Sequence, residues 1–564
     1  MTAGARVFVI GFDHCGTGAI GQLFEAAGHV ARIWLDGQLA ENLAHARAAG
    51  TVPLGRWPRA VLLGAMHRLH RPHLPPLEPF RDPAFLRRHF PGCWLLLPRR
   101  DPEAWIAARW QDRLIWAQHL GCDEAALPAI WRRDWEDHHA LCARLYTGDP
   151  RFVPLDMEGD WPADLARALP GFGLAGAAPP ALTRPPPMAA PAQVAPPAPD
   201  LGFAQAIADF CTRSDPAIPR QLGPQRFSAL FARWDGDGRV TGREGVALPI
   251  LAEDLPGGAR RFLAPPGLPK LDRVEGMLAE LWALGHRRPV RMDMEDRRGF
   301  GTAATGAPRQ PLLVYNRPAG GTGNMLLWPL PGYHTLGSQS FVTTQAADTV
   351  LWQDKANGTA WRGNLSGRPV AALDAGLGAG RGAHLLLADL ARGPGPGDPG
   401  LARELAAITR FSVVRRHAGQ PGFDLALVLP PHHAAAARHP LLAPWCGPWV
   451  PPDWAHGFRY LLSLSGRDGG SNFLPAAQTQ GVVLKEEDGW ELFYSGAFRP
   501  WEHFIPLAPG AVDLEDRLDW ARANPLRCQQ ISRAARDVCA RLANRETRRA
   551  WLRMVAEAAS VQAP

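Results

Sequence analysis

Between Ala175 and Asp200 the chain reads AGAAPPALTRPPPMAAPAQVAPPAPD, and no regular element can run through it. Each proline removes a backbone donor and fixes φ, so neither a helix nor a sheet interior tolerates that density. Such a segment stays extended as a semi-rigid spacer. It divides the 564 residues into a unit of ordinary domain size, 1–174, and a unit roughly twice as large, 201–564. The larger unit is long enough for two α/β lobes.

Hydrophobic residues make up 46% and charged residues 20%, which places both units among globular chains. The net charge of +7 is carried mostly by scattered Arg. Without a basic stripe or a reader motif, no nucleic-acid partner is expected. The charge suits substrates bearing phosphate or sulfate, or peripheral contact with an anionic inner-membrane face. No run is apolar enough to span a bilayer, and MTAGARVFVIGF lacks the long apolar core of a signal peptide. The eight Cys contain no CxxC pair, which argues against a zinc site or a disulfide framework. A reducing, cytoplasmic location is the expectation, with no metal.

Residues 1–174 read as strands alternating with helices. RVFVIGF and CWLLLP are continuous apolar runs, as parallel strands covered on both faces require, and RFVPLD is a third. AIGQLFEAAGHV and WIAARWQDRLIWAQHL carry helical spacing. This alternation predicts an α/β sheet. The loop GFDHCGTG (Gly11 to Gly18) joins the first strand to the first helix. Backbone N–H groups and a helix N-terminus converge at such a place, which suits an anion. No Gly-Lys-Ser/Thr follows, so the loop is not a Walker sequence. A tight turn with no ligand is an equally open reading.

The loop resembles the phosphosulfate-binding loop of PAPS-dependent sulfotransferases. FPGCWLLLPRRDPEAWIAAR resembles the strand and 3′-phosphate-binding stretch of the same family, and the likeness covers about residues 5–170. It implies a P-loop-like sulfotransferase α/β domain in which His14, Cys15, Gly16, Thr17, Gly18 and Arg100 contact PAPS. Two positions depart from the pattern. His14 stands where a Lys or Arg usually neutralises the bridging oxygen, and a neutral imidazole stabilises a leaving phosphate less well. Ala107 and Ala108 fall where a phosphate-binding Ser is expected. His138 and His139 offer a general base or, more ordinarily, a pair at the core edge.

In the larger unit, two apolar-alternating segments flank DGDG (Asp235 to Gly238) and predict a hairpin. The strands expected next are PVRMD, PLLVYN, TVLWQD, AHLLLADL, DLALVL, YLLSLSG and GVVLKEE. From DLEDRLDW onward the pattern is helical and amphipathic. Four features bear on chemistry. Asp293, Glu295 and Asp296 end an apolar strand, where α/β clefts form and a general base is useful. TAWRGNLSGR presents Arg362 beside Gly363, and the guanidinium fork suits phosphate. YLLSLSGRDGGSNF opens a Gly-rich strand-to-helix loop on Ser471 and Asn472. GWELFYSGAFRPWEHFIPL surrounds Glu491 with aromatics that read mostly as core, and a buried carboxylate there needs partners.

In this order and spacing the features resemble glycosyltransferase family 90, the CAP10-like group, and most closely its bacterial lipopolysaccharide-modifying branch. The likeness covers about residues 203–545 and includes Trp361-Arg362-Gly363, the 466–484 loop and strand, Glu491 through Phe504, and NRPAGGTGNMLLWPL with Arg317 and Asn324. It implies a GT-B fold of two Rossmann-like lobes and inversion at the sugar carbon without an obligatory metal. Asp296 is the implied catalytic base, with Asp293 as its understudy. Arg317, Arg362, Gly363, Gly469, Gly470, Ser471, Asn472 and Glu491 are the implied contacts to a UDP-sugar. One departure stands out: Phe473, Leu474 and Pro475 occupy the place where family members carry a cation, a place Arg467 is near enough to supply.

The expectation is an inverting hexosyl- or pentosyltransferase that moves a sugar from a UDP-sugar to a glycan or glycolipid acceptor, such as a lipopolysaccharide or capsule precursor. Two alternatives stand beside it. The enzyme is bifunctional and also sulfates the glycan with PAPS, or the N-terminal domain is a non-catalytic module that docks an anionic glycan. Donor sugar, acceptor and oligomeric state are not encoded in any motif above.

Overall fold

The computed structural model describes residues 6–69, 71, 74–120, 122–175, 198–213, 227–255, 258, 260–266, 268, 270–296, 308–319, 323–331, 348–367, 381–393, 399–466 and 469–560. Most of the Pro/Ala-rich stretch lies outside the described residues, as do Arg467 and Asp468. Contacts group the chain into two units. One holds Met1–Ala195 and Ala247–Gly285; the other holds Pro196–Val246, His286–Leu336 and Ser340–Pro564.

The first unit is built on β1 (Val7–Val9), β2 (Ala31–Ile33), β3 (Leu62–Gly64), β4 (Trp94–Arg99) and β5 (Phe152–Asp156). They form one sheet in the order β2-β3-β1-β4-β5, every pair parallel. Side chains alternate across it. Phe8, Leu63, Leu95 and Leu97 enter the core of one face, and Val7, Val9, Leu62 and Leu96 that of the other. Both faces being covered is why the inner strands β3, β1 and β4 read as apolar runs. The strand order reverses beside β1, and ligand crevices of α/β sheets open at the carboxyl ends of strands at such a point.

The chain next forms the antiparallel pair β6 (Phe231–Trp234) and β7 (Val240–Thr241), with DGDG as its turn, in the second unit. Gly236 in that turn has φ 98°, and a Cβ there would sit 2.2 Å from the Arg287 carbonyl oxygen. Two further strands, β8 (Leu251–Asp254) and β9 (Arg260–Leu263), pair antiparallel and belong to the first unit with the helix Asp272–Ala283. A buried ion-pair network ties them in. Arg68, itself 2% exposed, meets Glu41 at 3.4 Å and Glu275 at 3.2 Å, and Glu275 also accepts from the Ala264 N–H. Charges this deep must be paired and hydrogen-bonded, so these partners fix where the segment docks.

In the second unit, β10 (Val290–Asp293), β11 (Leu312–Val314) and β13 (Met325–Leu327) run parallel to one another and join β6 and β7 in a mixed sheet. β12 (Asn316–Pro318) instead pairs antiparallel with β18 (Trp490–Leu492). A second five-stranded sheet contains β14 (Ala356–Gly363), β15 (Phe423–Leu427), β16 (Phe458–Ser463), β17 (Val482–Glu486) and β19 (Ile505–Leu507). Its order is β15-β14-β16-β17-β19, all parallel. Helices Leu514–Ala523, Pro525–Ala543 and Arg545–Ala559 close the chain. The chain is α/β in both units.

Two expected strands are not strands. AHLLLADL is the helix Ala383–Ala391, whose buried residues Ala383, Leu386, Leu387 and Leu390 follow helical spacing that the apolar run conceals. TVLWQD ends in a 3-10 turn at Trp352–Asp354, and the strand is the next segment, ANGTAWRG. No helix among the described residues is long and apolar enough to cross a membrane. All eight cysteines are free thiols.

Candidate functional site

The carboxyl end of β10 carries two of the predicted residues, and they differ. Asp293 is fully buried; its two oxygens accept from the Ser228 N–H at 3.0 Å and the Ser228 hydroxyl at 2.6 Å. These bonds fasten the chain entering β6 to the end of β10. Asp296 is half-buried; its carboxylate accepts from the Tyr315 hydroxyl at 2.9 Å, and its backbone oxygen accepts from Asn316 at 3.2 Å. The Asp296 carboxylate is the less enclosed of the two.

Arg317 and Glu491 lie opposite each other in the β12–β18 ladder and meet at 2.8 Å. Arg317 is fully buried, and its remaining donors go to the carbonyls of Cys211 (3.1 Å), Met325 (3.0 Å) and Phe210 (2.7 Å). The second oxygen of Glu491 accepts from Arg213 at 2.6 Å. The resemblance implies that Glu491 contacts a UDP-sugar; in the structure its carboxylate meets two guanidiniums. Arg317 is a clamp on three backbone carbonyls, as a buried cation with five donors requires.

The Gly-rich loop follows β16. A Cβ at Gly469 would lie 2.4 Å from Leu492 Cδ1, and one at Gly470 would lie 2.7 Å from Ser463 Oγ. Both glycines are therefore small because neighbours press on them. Asn472 donates to the Leu462 carbonyl at 2.8 Å and accepts from the Ser463 hydroxyl at 3.2 Å. Ser471 is exposed, and the helix after it, Phe473–Ala477, is a single short turn. The Lys485 ammonium on β17 lies 5.9 Å from the centre of the Phe473 ring, a cation beside the stretch whose charge the sequence pattern lacks.

Sequence reasoning missed three residues that hold this loop. Arg410, from the helix Thr409–His417, donates to the carbonyls of Asn364 (2.9 Å), Leu464 (3.1 Å) and Ser465 (2.9 Å). It thereby joins the loops leaving β14 and β16, where the strand order reverses. Glu486 accepts from the N–H groups of Ser465 and Gly510 and from the Thr409 hydroxyl. Asp488 accepts from the Ser465 hydroxyl and the Trp490 N–H. Burial pushes both carboxyls above their usual range, and these donors only partly offset it. The acids of KEED, at the end of β17 and just after it, were the available signal.

A cavity of about 340 Å³ lies against this sheet, lined among others by Arg362, Gly363, Asn364, Trp449, Trp454 and Asn472. Arg362 pairs with the Asp424 carboxylate, donates to the Asp424 carbonyl at 2.8 Å, and stacks over Trp454 at 4.6 Å. Trp449 is 72% exposed. Thus Arg362, Gly363 and Asn472 share one cavity, while Asp293, Asp296, Arg317 and Glu491 are not among its lining residues.

In the first unit the β1 loop runs into the helix Thr17–Ala26. His14 has φ 57° and Gly16 φ 83°, two left-handed residues that turn the chain into the helix. Arg100 Nη1 donates to the His14 carbonyl at 3.0 Å. The His14 ring meets Asp112 at 2.9 Å, with Asp13 at 3.8 Å. Arg109, fully buried, lies 3.2 Å from Asp13 and 2.7 Å from Glu78, packed at 4.1 Å over Trp116. Burial opposes the charge on Asp13, but Arg109, His67 and His14 outweigh it, and the carboxyl titrates below its usual range. Asp13, His14 and Asp112 bring ligand-type atoms within 4.8 Å of one another, yet each carboxylate already faces a cation, so the group is an ion-pair network. Among the described residues the buried Thr17 hydroxyl has no hydrogen-bond partner, and Gly18 borders open space. Burial lifts the Cys15 thiol to about 12, which removes it as a nucleophile. His138 and His139 each bond a backbone carbonyl, and burial lowers both to about 4, so they are neutral core imidazoles.

Residues 457–562 match the family described as Glycosyl transferase family 90, which runs from β16 through the closing helices. Short stretches are also similar to viral proteins of unassigned role. The chain is 40% identical over 54 residues to "Uncharacterized protein 035R" of Invertebrate iridescent virus 3, covering 10% of this chain and 5% of that protein. It is 30% identical over 88 residues to "Uncharacterized protein 027R" of Frog virus 3 (isolate Goorha), covering 15% and 9%. It is 24% identical over 101 residues to "Uncharacterized protein 179R" of Invertebrate iridescent virus 6, covering 16% and 8%. The chain thus spans less than a tenth of each of these relatives. They are viral, so a bacterial branch rests on motif resemblance alone.

Proposed function

We propose that the second unit transfers a sugar from a UDP-sugar to a glycan or glycolipid hydroxyl, with inversion, on a GT-B arrangement of its two larger sheets. The observation that carries this is the family match over 457–562, because that segment contains the β16 loop and its supports Glu486 and Asp488. Asp296 takes the acceptor proton as the hydroxyl attacks the anomeric carbon. The departing diphosphate gains charge and needs fixed donors. The backbone of Gly469 to Asn472 supplies them, held rigid by Arg410 from behind. Arg362 and Gly363 take the neighbouring part of the donor in the cavity they line. Asp293 is spent on Ser228 and fastens the end of β10, the strand that leads to Asp296. The Arg317–Glu491 pair sets the β12–β18 ribbon.

A panel of UDP-sugars, read as UDP release with and without glycan acceptors, tests the reading. Asp296→Asn should lower turnover by about 10²-fold or more while leaving UDP affinity within twofold or so, since a base acts in the transition state. Full turnover in that variant removes Asp296 from the chemistry.

A second reading concerns the first unit. The unpartnered Thr17 hydroxyl at a helix start, beside the strand where the sheet order reverses, favours a nucleotide carrying phosphate or sulfate, PAPS among them. The enzyme is then bifunctional.

A further inference from the structure

The loop after β1 raises a question that its sequence leaves open: what supplies the mobile positive charge. Arg100 spends a donor on the His14 carbonyl. Arg109 is fully buried between Asp13 and Glu78 and enclosed by Trp105, Trp116 and Trp131. Arg109 is unable to swing toward an incoming anion without stripping a buried carboxylate of its partner, which is strongly unfavourable. His14, half-buried like Arg100, is a non-glycine residue held in left-handed backbone conformation at the mouth of the helix, and alone of the three it changes charge near neutral pH.

We propose that His14, clamped by Asp112, is a proton-operated cation that lets the β1 loop hold a phosphate- or sulfate-bearing nucleotide when the imidazole is charged and release it when the imidazole is neutral. The inference rests on the reading that this loop binds such a nucleotide. It differs from a loop with Lys or Arg, whose charge does not change near neutral pH.

The groups that face His14 give the switch its sign. Asp13 comes from the same loop and Asp112 from the 3-10 turn Trp110–Asp112. Arg109 comes from the end of the helix Pro102–Arg109, Arg100 from the segment after β4, and His67 from the segment after β3. Gln111 adds neutral contacts to the ring at 3.2 and 3.3 Å. Burial lowers the His67 pKa, so His67 is neutral near pH 7. Arg109 is shared between Asp13 and Glu78, so it leaves the loop no spare positive charge while His14 is neutral. Protonating His14 adds one positive charge to the loop, which favours an incoming anion. Burial disfavours that charge, but the Asp112 bond and the fields of Asp13 and Asp112 outweigh it, so His14 titrates above the usual imidazole value. His14 is therefore charged below that raised value and discharges as pH rises through it. The buried Thr17 hydroxyl is the neutral donor waiting beside it.

Calorimetric titration of the full chain with adenosine 3′,5′-bisphosphate, from about pH 6 to about pH 9, tests this. Wild-type affinity should fall by up to about tenfold per pH unit above the His14 pKa, the limit for one linked proton. His14→Lys should bind with an affinity flat across that range. Asp112→Asn should move the fall to lower pH. Inorganic sulfate, whose own charge is constant over the range, should compete with the same pH profile, and the His14 ring resonance in the NMR spectrum should titrate at the same midpoint. Wild-type affinity that is independent of pH, or binding by His14→Lys with none by wild type at low pH, overturns the switch while leaving the nucleotide reading in place. Binding by neither protein at any pH overturns both.

Discussion

The loops after β1 and after β16 share a description in sequence: a buried parallel strand, a cluster of glycines with Ser, Thr or Asn, then a helix. In the structure they are opposites. After β16 the glycines are small because Leu492 and Ser463 leave no room for a Cβ, and Asn472 is committed to Leu462 and Ser463. Arg410, Glu486 and Asp488 fasten the loop from behind. After β1, Gly16 is needed for a positive φ, Gly18 faces open space, and the Thr17 hydroxyl is buried without a bond. One loop is rigid through internal satisfaction; the other keeps a donor in reserve. A glycine pattern alone does not distinguish packing from ligand reception.

The contrast can be broken most forcefully at its satisfied end. Arg317→Leu should cost about 3–5 kcal/mol, because it strands the Glu491 carboxylate beside Arg213 alone. Chemical denaturation would reveal it, and an unchanged midpoint would mean that the clamp is not part of the fold's stability. Next come the glycines. Gly469→Ala should destabilise by about 1–3 kcal/mol through overpacking against Leu492, whereas Gly18→Ala should stay within about 0.5 kcal/mol. Equal melting shifts for the two would erase the distinction.

Thr17→Val sharpens the other end. Removing a hydroxyl that has no partner should change stability by less than about 1 kcal/mol, or raise it, while weakening any anion at the loop. The smallest effect is pH dependence. Glu486 and Asp488 titrate above their unfolded values, so the folded state holds the extra protons between the two. Their contribution is full below the unfolded carboxyl range and is lost as pH rises through the raised folded values. Glu486→Gln should therefore flatten the fall of melting temperature across the mildly acid range, and an unaltered slope would assign the effect elsewhere.

Much of the strand framework was legible. RVFVIGF, CWLLLP and GVVLKEE are strands because parallel sheets bury both faces and burial leaves an apolar run, while the edge strand in DLALVL is buried only in alternation. The same rule misread AHLLLADL, since a buried helix can carry an equally continuous run. The candidate site was legible in part. Arg362, Gly363 and Asn472 line one cavity, but Arg410 gives no sign in sequence, because its work is done on the carbonyls of residues about 50 positions away, and only long-range folding makes such contacts.

By itself the sequence determined the local units: which segments alternate as strand and helix, where proline forbids both, and where glycine permits a turn. Those are set by dihedral freedom and by periodicity over a few residues. Tertiary structure alone decided that Ala247–Gly285 packs with the first unit, that Asp293 is tied to Ser228, and that Glu491 answers to two arginines. A buried charge takes whichever opposite charge or donor the fold brings within about 3 Å, and that partner is chosen by the path of the whole chain.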